Sequence, residues 1–597
     1  MLQAAIDERE IMEGLNSSIQ ISVPDIRQNR LSFCDNSVSG FEAWCKKLPM
    51  ANVGAAAKLL FQAGRELNCT QLNSALRYKM LEIMRSQVYS ICSLLSKRYL
   101  NQSVVLDENS LKIVKLAQTL QNQLATGYKH IILDILDEQS KKSSEPKLLT
   151  FAIHRAISDI NQTLLRATQL YSQAPKNAWS DLHQLYSLAE IKNIQSYEVK
   201  DTETQFRSSS TIFDVYTRAL LLGCSKANQL RQSEQASLFA ATELWSHLLK
   251  LSTIKDEQAK FIFVQNNDRA PIYRSLIKSV PSGSVRTFDA EDLVKELKKH
   301  TYGEKCKITI PGNVSSGLIN HLLHAWGGMK ERSFRRIQSS GEIQVGIGLL
   351  ACHYFCAKEK SFPFLLKQWH LDLAENQDAK VSEDVWDQSF DAGNPFSGNT
   401  DAIKFDSAMF IDKHAEEVDT GPSGQSFSAK VANTSPGGYG VNIEQPPSSL
   451  QTGELVVIKE ANSNEWSVGS IRWIRTQQNK PTQIGIELIA PKAEPVAVKQ
   501  LNKTGDNGEF LRGIRIPAFL AAGQKETLIL PTIPFKVGSK AELADDRLQQ
   551  RIQLTKHLNV SRSFVQYEYY SLSQVLSDTK EDAKDVQDEF TSIWDKL

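Results

Sequence analysis

The chain has 597 residues, 41% of them hydrophobic and 23% charged, and a formal net charge of +1. That length exceeds one hydrophobic core and predicts roughly two to four domains. A near-neutral chain has no global basic field, so non-specific duplex binding is excluded, while a local basic pocket is not. The eight cysteines are scattered without framework spacing and read as reduced thiols in a cytoplasmic protein. Residues 1–10 are acidic and lack a signal-peptide core, and no apolar run approaches the length of a bilayer span, so no membrane span is expected.

Residues 1–40 read as a polar N-terminal arm whose apolar patch Ile19–Val23 either docks in extended form or stays disordered. Residues 41–255 read as an all-α domain, an antiparallel bundle or a short solenoid. Asn52 is placed to cap a helix running through Leu67. Leu72, Leu76, Met80, Ile83, Ile91 and Leu95 then recur at helical spacing and form one apolar stripe. Further amphipathic segments are Leu111–Leu124, Tyr128–Leu136, Leu148–Tyr171, Trp179–Ile191, Ile212–Leu222 and Ser233–Leu251, with no fixed repeat. Residues 256–324 read as a small α/β connector, with strands at Phe261–Val264 and Lys307–Ile310 and helices at Asp289–Lys298 and Gly317–Trp326.

Beyond that helix lies Arg332-Ser-Phe-Arg335-Arg336, which places Arg332 and Arg336 four apart on an irregular leader. Glu342–Cys356 reads as the first strands of a barrel, with Ile343, Val345 and Ile347 alternating. Residues 357–425 hold fourteen acidic and six basic residues and few β-branched ones, so they are expected to be a solvated, largely disordered insertion. The strand pattern resumes around Asn433-Thr-Ser435-Pro-Gly-Gly438-Tyr-Gly440, then Leu455–Ile458, Trp466–Trp473 and Gly485–Leu488. Further β segments at Gly513–Ile516, Thr527–Leu530, Phe535–Val537, Arg551–Leu554 and Phe564–Tyr569 extend this barrel or form a second small one. Val586, Phe590, Ile593 and Leu597 are spaced as a terminal amphipathic helix.

Guanidinium forks suit phosphate oxygens and the O6/N7 edge of guanine, and their flat faces stack on bases. A turn rich in Asn, Ser and Gly exposes backbone N–H groups and lets a ligand approach the main chain. The order Arg-x-x-x-Arg, then Asn-x-Ser-x-x-Gly, with Trp473 and Gly485-Ile-Glu487 on the following strands, resembles the PilZ domain, a family of bacterial cyclic di-GMP receptors. The resemblance covers Ala325 to Pro491, about a quarter of the chain, and sets a PilZ-like domain over residues 325–500. It departs from the family pattern in one respect: nearly a hundred positions separate Arg336 from Asn433.

The resemblance implies a PilZ-like antiparallel β-barrel, so the whole chain is expected to be an α+β multidomain protein. It also implies cyclic di-GMP as the ligand. Arg332 and Arg336 would contact phosphate and guanine, with Arg335 adding charge. Asn433 and Ser435 would meet a guanine edge or ribose, and Gly438 would leave room for the base. A protein partner in motility, attachment or pilus regulation is implied, reached through the helical domain. The alternative is a scaffold that has lost its nucleotide site and acts only through protein contacts, a reading the long gap favours.

Other chemistry finds little footing. Trp466 and Trp473 read as core more than as stacking platforms. His321 and His324, with Cys352, His353 and Cys356, look superficially like metal ligands, but Cys352 and Cys356 are expected on one face of an alternating strand, and no metal is expected. No Walker loop, dinucleotide fingerprint or hydrolase elbow occurs, and Asp545-Asp546 and Glu416-Glu417 lie in polar stretches, so the chain is not read as an enzyme.

Overall fold

The computed structural model describes residues 21, 23–139, 146–252, 259–277, 284–328, 337–371, 424–461, 463–477, 480–501, 508–518, 525–561 and 563–572. Of the expected N-terminal arm and its patch Ile19–Val23, residues 1–20 and 22 lie outside the described residues, and the described part docks: Ile21 is buried in the core, and Arg27 N–H donates to Cys69 O at 2.8 Å beside a short parallel bridge between Gln28 and Thr70. Five helices follow: α1 Val38–Lys46, α2 Val53–Cys69, α3 Ser74–Ser96, α4 Glu108–Gln139 and α5 Pro146–Gln169. Ser37, Asn52 and Asn73 cap the first three by accepting from backbone N–H groups in the first turn.

The helix α4 is continuous where the sequence suggested two segments broken near Gly127. A methyl on Gly127 would lie 2.7 Å from Leu81 Cδ2, so this glycine serves the close approach of α3 and α4 and breaks no helix. Next come α6 Ala178–Ile191, the two-residue strands β1 Val199–Lys200 and β2 Ser209–Ser210, α7 Ile212–Cys224 and α8 Gln232–Trp245. Thr211 and Asp214 form a reciprocal capping box at the start of α7. The segment expected to stay helical to Leu251 ends at Trp245 and yields strand β3 Lys250–Ser252.

Strands β4 Phe261–Val264, β5 Ile272–Tyr273 and β6 Val285–Asp289 complete an antiparallel sheet in the order β3-β6-β4-β5, followed by α9 Glu291–Thr301 and α10 Ser316–Gly327. One apolar cluster runs from Ile21 to Trp326, so this sheet and its helices share the core of the helical region. The strand expected at Lys307–Ile310 is irregular backbone. Its polar groups are met by side chains instead of a neighbouring strand: Lys307 N–H donates to Glu296, and Thr309 O accepts from Trp245 Nε1 at 2.9 Å.

After β7 Ile337–Gln338 and β8 Glu342–Ile347 the chain turns into α11 Gly348–Cys356 and α12 Phe362–Gln368. The stretch expected to be strand as far as Cys356 is therefore helical beyond Ile347. Gly348 takes φ +92, which ends the strand, and a run apolar on every side carries no period to tell helix from strand. The insertion is ordered at its start, where α12 packs Phe362 and Leu366 into a small cluster, and residues 372–423 lie outside the described residues.

Strands β9 Ser426–Ser435, β10 Gly438–Ile443, β11 Leu455–Glu460, β12 Ser467–Arg475 and β13 Thr482–Ala490 follow. With β8 they close a six-stranded antiparallel barrel in the order β10-β13-β12-β11-β8-β9, shut by the β9–β10 pair, and β7 adds outside on β9. Then β14 Glu494–Gln500, β15 Leu511–Ile516, β16 Thr527–Pro531, β17 Lys540–Ala544, β18 Gln549–Val560 and β19 Phe564–Ser571 close a second barrel, in the order β14-β15-β16-β19-β18-β17. The segment Phe535–Val537 is a turn leading to β17, with Phe535 buried and its carbonyl held by Tyr567 Oη at 2.9 Å. The helix α11 wedges between the barrels, with Leu349, Cys352 and Phe355 packed against Val457 of one and Ile514 and Phe564 of the other. The expected terminal helix lies outside the described residues.

Candidate functional site

Two strands of the first barrel, β9 and β10, meet in a tight turn across which Ser435 and Gly438 are paired. Gly438 has φ +145, and a Cβ there would stand 2.0 Å from the Ile486 carbonyl, so only glycine lets β10 lie against β13. Ser435 Oγ donates to Gly438 O at 3.3 Å, which holds the hydroxyl at the corner.

Val441, Ile471, Ile484 and Ile486 point into the barrel core, so the residues alternating with them face outward. The β9–β10 register shifts at Gly440/Val441, and this bulge puts Asn433 on the outer face although Val431 points in. One continuous row of partners then crosses five strands: Gln338, Asn433, Gly440, Gly485 and Trp473. The two glycines flatten this row. A Cβ on Gly440 would lie 2.7 Å from Asn433 Nδ2, and one on Gly485 would lie 1.9 Å from Trp473 Nε1. The amide and the indole therefore lie across adjacent glycines as a low shelf of one polar and one aromatic group.

Beside this shelf, Glu487 pairs across strands with both Gly438 and Ser470 and forms an ion pair with Arg472, both partners being about half exposed. On the other side, exposed Lys430 and Arg475 stand near Asn442 and Gln483. Tyr439 Oη donates to Glu460, and burial, with help from that carboxylate, pushes the phenol up to about 12.

Of the residues singled out in the sequence, Asn433, Ser435 and Gly438 stand together at this corner. Arg332, Arg335 and Arg336 lie outside the described residues. The described chain resumes at Ile337, whose partner is Thr434, and Gln338 pairs with Asn433.

Three family models match consecutive stretches of the chain. Their descriptions are cyclic-di-GMP receptor FimW, N-terminal domain, over residues 39–257; cyclic-di-GMP receptor FimW, middle PilZ domain, over 260–495; and FimW C-terminal beta-barrel domain, over 496–572. The cyclic-di-GMP receptor FimW of Pseudomonas aeruginosa is 33% identical over 612 aligned residues, covering 98% of this chain and all of that one. The chain belongs to the FimW family. No solved structure matches it.

The shelf thus lies within the stretch matched by the FimW middle domain, and the second barrel is the FimW C-terminal domain. Trp473 corrects the sequence reading: it is half-buried on the outer face and outside the core cluster. Trp466, by contrast, packs against the core cluster between the barrels as expected, partly buried and stacked on Phe355 of α11 with centroids 4.3 Å apart. In the sequence Gly440 and Gly485 are named within the motif but given no role, and Gln338 is passed over; glycine at every second position in Gly438-Tyr-Gly440 is the signal that one face of a strand carries no side chains.

Cys352 and Cys356 are on a helix, not a strand, and burial pushes the Cys356 thiol up to about 12. His353 Nε2 lies 3.3 Å from Val496 O, and His321 Nε2 lies 2.7 Å from Ser225 O. Among the described residues no group of three or more His, Cys, Asp or Glu is placed to hold a metal ion. No helix among them is long and apolar enough to cross a membrane.

Proposed function

We propose that this chain is a cyclic di-GMP receptor that binds the nucleotide on the outer shelf of its first barrel and relays occupancy to a protein partner through the helical domain. Trp473 offers a face on which a guanine stacks, an interaction that needs only a π surface. Asn433 and Ser435 offer donors and acceptors to a base edge or ribose; the free side of Gly438 is taken by the Ile486 carbonyl and that of Gly440 by the Asn433 amide, so these glycines shape the shelf instead of leaving room for the base. Arg332, Arg335 and Arg336 supply the cations that two phosphates require, through charge-assisted contacts of the stronger kind.

The observation that carries this reading is the pairing of Ile337 with Thr434 and of Gln338 with Asn433. The sequence separates the arginines from the Asn-Ser turn by nearly a hundred positions, yet the chain that leaves Arg336 joins the sheet beside that turn. An arginine side chain reaches about 7 Å from its Cα, and consecutive Cα atoms are about 3.8 Å apart, so the spacing suits a shared ligand. The relationship to a receptor named for cyclic di-GMP supports the same ligand. All eight cysteines are free thiols, which fits a reducing cytoplasm.

Calorimetric titration of the full chain with cyclic di-GMP, beside Arg332→Ala/Arg336→Ala, tests the proposal. The wild type should bind saturably, and the double variant should lose at least about a hundredfold in affinity, in line with the loss of two charge-assisted contacts. Equal binding in both proteins, or none in the wild type, removes the receptor reading.

A further inference from the structure

Among the contacts of the described residues, two sets of hydrogen bonds fasten the first barrel to the helical domain, one at the end of the strand that carries Trp473 and one just before its neighbour β11. At one end of β12, Thr476 N–H donates to Tyr171 O at 2.9 Å, and Thr476 Oγ1 donates to Leu170 O at 2.8 Å. The Tyr171 side chain is buried against the barrel's core cluster, to which Ile471 and Ile474 of β12 belong, while its hydroxyl donates to Leu230 O of the helical domain at 2.9 Å. Tyr171 has φ +53, a left-handed conformation that bulky residues seldom adopt, so the contacts around it hold it in place.

The second point is Arg231, at the start of α8. Its Nε donates to Thr452 O at 2.9 Å, its Nη2 bonds the Glu454 carboxylate at 2.9 Å, and the same Nη2 lies 3.4 Å from Ser563 Oγ of the second barrel. Glu454 is buried at 5% exposure. Its own backbone is tied to β12, because Glu454 O accepts from Ile471 N–H at 2.9 Å and Gly453 N–H donates to Ile471 O at 2.7 Å. Ser561 Oγ of the second barrel closes the junction on Gly453 O at 2.6 Å.

We propose that Tyr171 and Arg231 are positioning residues that couple the nucleotide shelf to the helical domain. This rests on the receptor reading above. Trp473 stands three residues from Thr476 and two from Ile471, so the strand that presents the indole is held at both flanks by the helical domain. Fixing β12 there keeps the shelf in its binding shape, and such pre-organisation raises affinity by lowering the ordering cost of binding. Coupling between two sites is reciprocal, so a ligand that fixes the shelf also tightens the two fastenings.

The test is amide hydrogen exchange on the full chain with and without cyclic di-GMP, read at residues 168–172 and 227–235, together with calorimetry on variants. Nucleotide should slow exchange in both helical-domain segments of the wild type, which a merely structural contact would not do. Tyr171→Ala and the paired change Arg231→Met/Glu454→Gln, which leaves no unpaired buried charge, should each bind about tenfold more weakly, within the usual range of coupling between sites. Both should lose the nucleotide-dependent slowing, whereas Tyr171→Phe, which keeps the ring packed against the barrel core, should retain most of the affinity. A wild type that binds nucleotide without any change in those segments overturns the coupling and leaves the receptor reading standing, as do variants that bind like wild type. A wild type that does not bind at all overturns both.

Discussion

Gly485→Ala tests the shelf with one carbon atom. The added methyl would stand 1.9 Å from Trp473 Nε1, 2.2 Å from Cε2 and 2.6 Å from Cδ1. Non-bonded carbon contacts settle at about 3.5–4.0 Å, so the indole must retreat by more than about 1.5 Å or swing off the sheet. The backbone itself tolerates the change: Gly485 is not among the positive-φ glycines, and the contacts a Cβ would meet are side-chain atoms of Trp473. The free protein should lose only part of the packing of a half-buried indole, about 1 kcal/mol. A bound guanine would lose its platform, about 1–3 kcal/mol per stacked base, a factor of roughly 5 to 150 in Kd. Calorimetry with cyclic di-GMP at fixed salt, run beside Trp473→Ala and thermal melts of both variants, reads the two effects separately. Both variants should weaken binding to a similar degree with little change in Tm. Wild-type affinity in either one refutes the placement of a base on Trp473.

Two further predictions separate fold from site. Gly438→Ala drives a Cβ to 2.0 Å from the Ile486 carbonyl, where only backbone movement relieves the clash, and strains a φ of +145. Opening that pair costs one or two hydrogen bonds plus the backbone strain, about 3–5 kcal/mol in all, visible as a lower urea midpoint. Gly440→Ala meets only the Asn433 side chain, which can turn aside, so its melt should stay near wild type while nucleotide affinity falls. For pH, burial is the main cause that holds His353 down to about 3, with Arg512 adding to it. Its folded value lies below the unfolded value of about 6.5. The stability it contributes is therefore present above pH 6.5 and is lost as pH falls from there toward 3. Thermal melts from pH 7 to 4 should show Tm falling over that window, and His353→Gln should flatten the fall; an equal slope in both proteins would count against the account.

Much of the architecture is written in local pattern. The helices announce themselves through three-to-four spacing and through caps such as Asn52, because an amphipathic face and an orphan N–H are met within a few residues. Strands such as Phe261–Val264 and Thr527–Leu530 are legible for the same reason. The Asn433-x-Ser435 turn with Gly438 is legible too, since positive φ and hydroxyl chemistry belong to the residue itself.

What depended on distant partners was not legible locally. Leu111–Leu124 and Tyr128–Leu136 read as separate segments until Leu81 is seen against Gly127 between them, Lys307–Ile310 reads as a strand until Glu296 and Trp245 are seen taking its polar groups, and α11 reads as strand because burial on every side erases its period. The shelf is of this second kind. Residues 338, 433, 440, 485 and 473 form one row only through ladder registers and a bulge, and Trp473 faces outward only because β12 and β13 slip past each other. Residue type sets what each position is able to do; which positions meet is decided by strand pairing across the whole barrel, where a single-residue shift turns a side chain from core to surface.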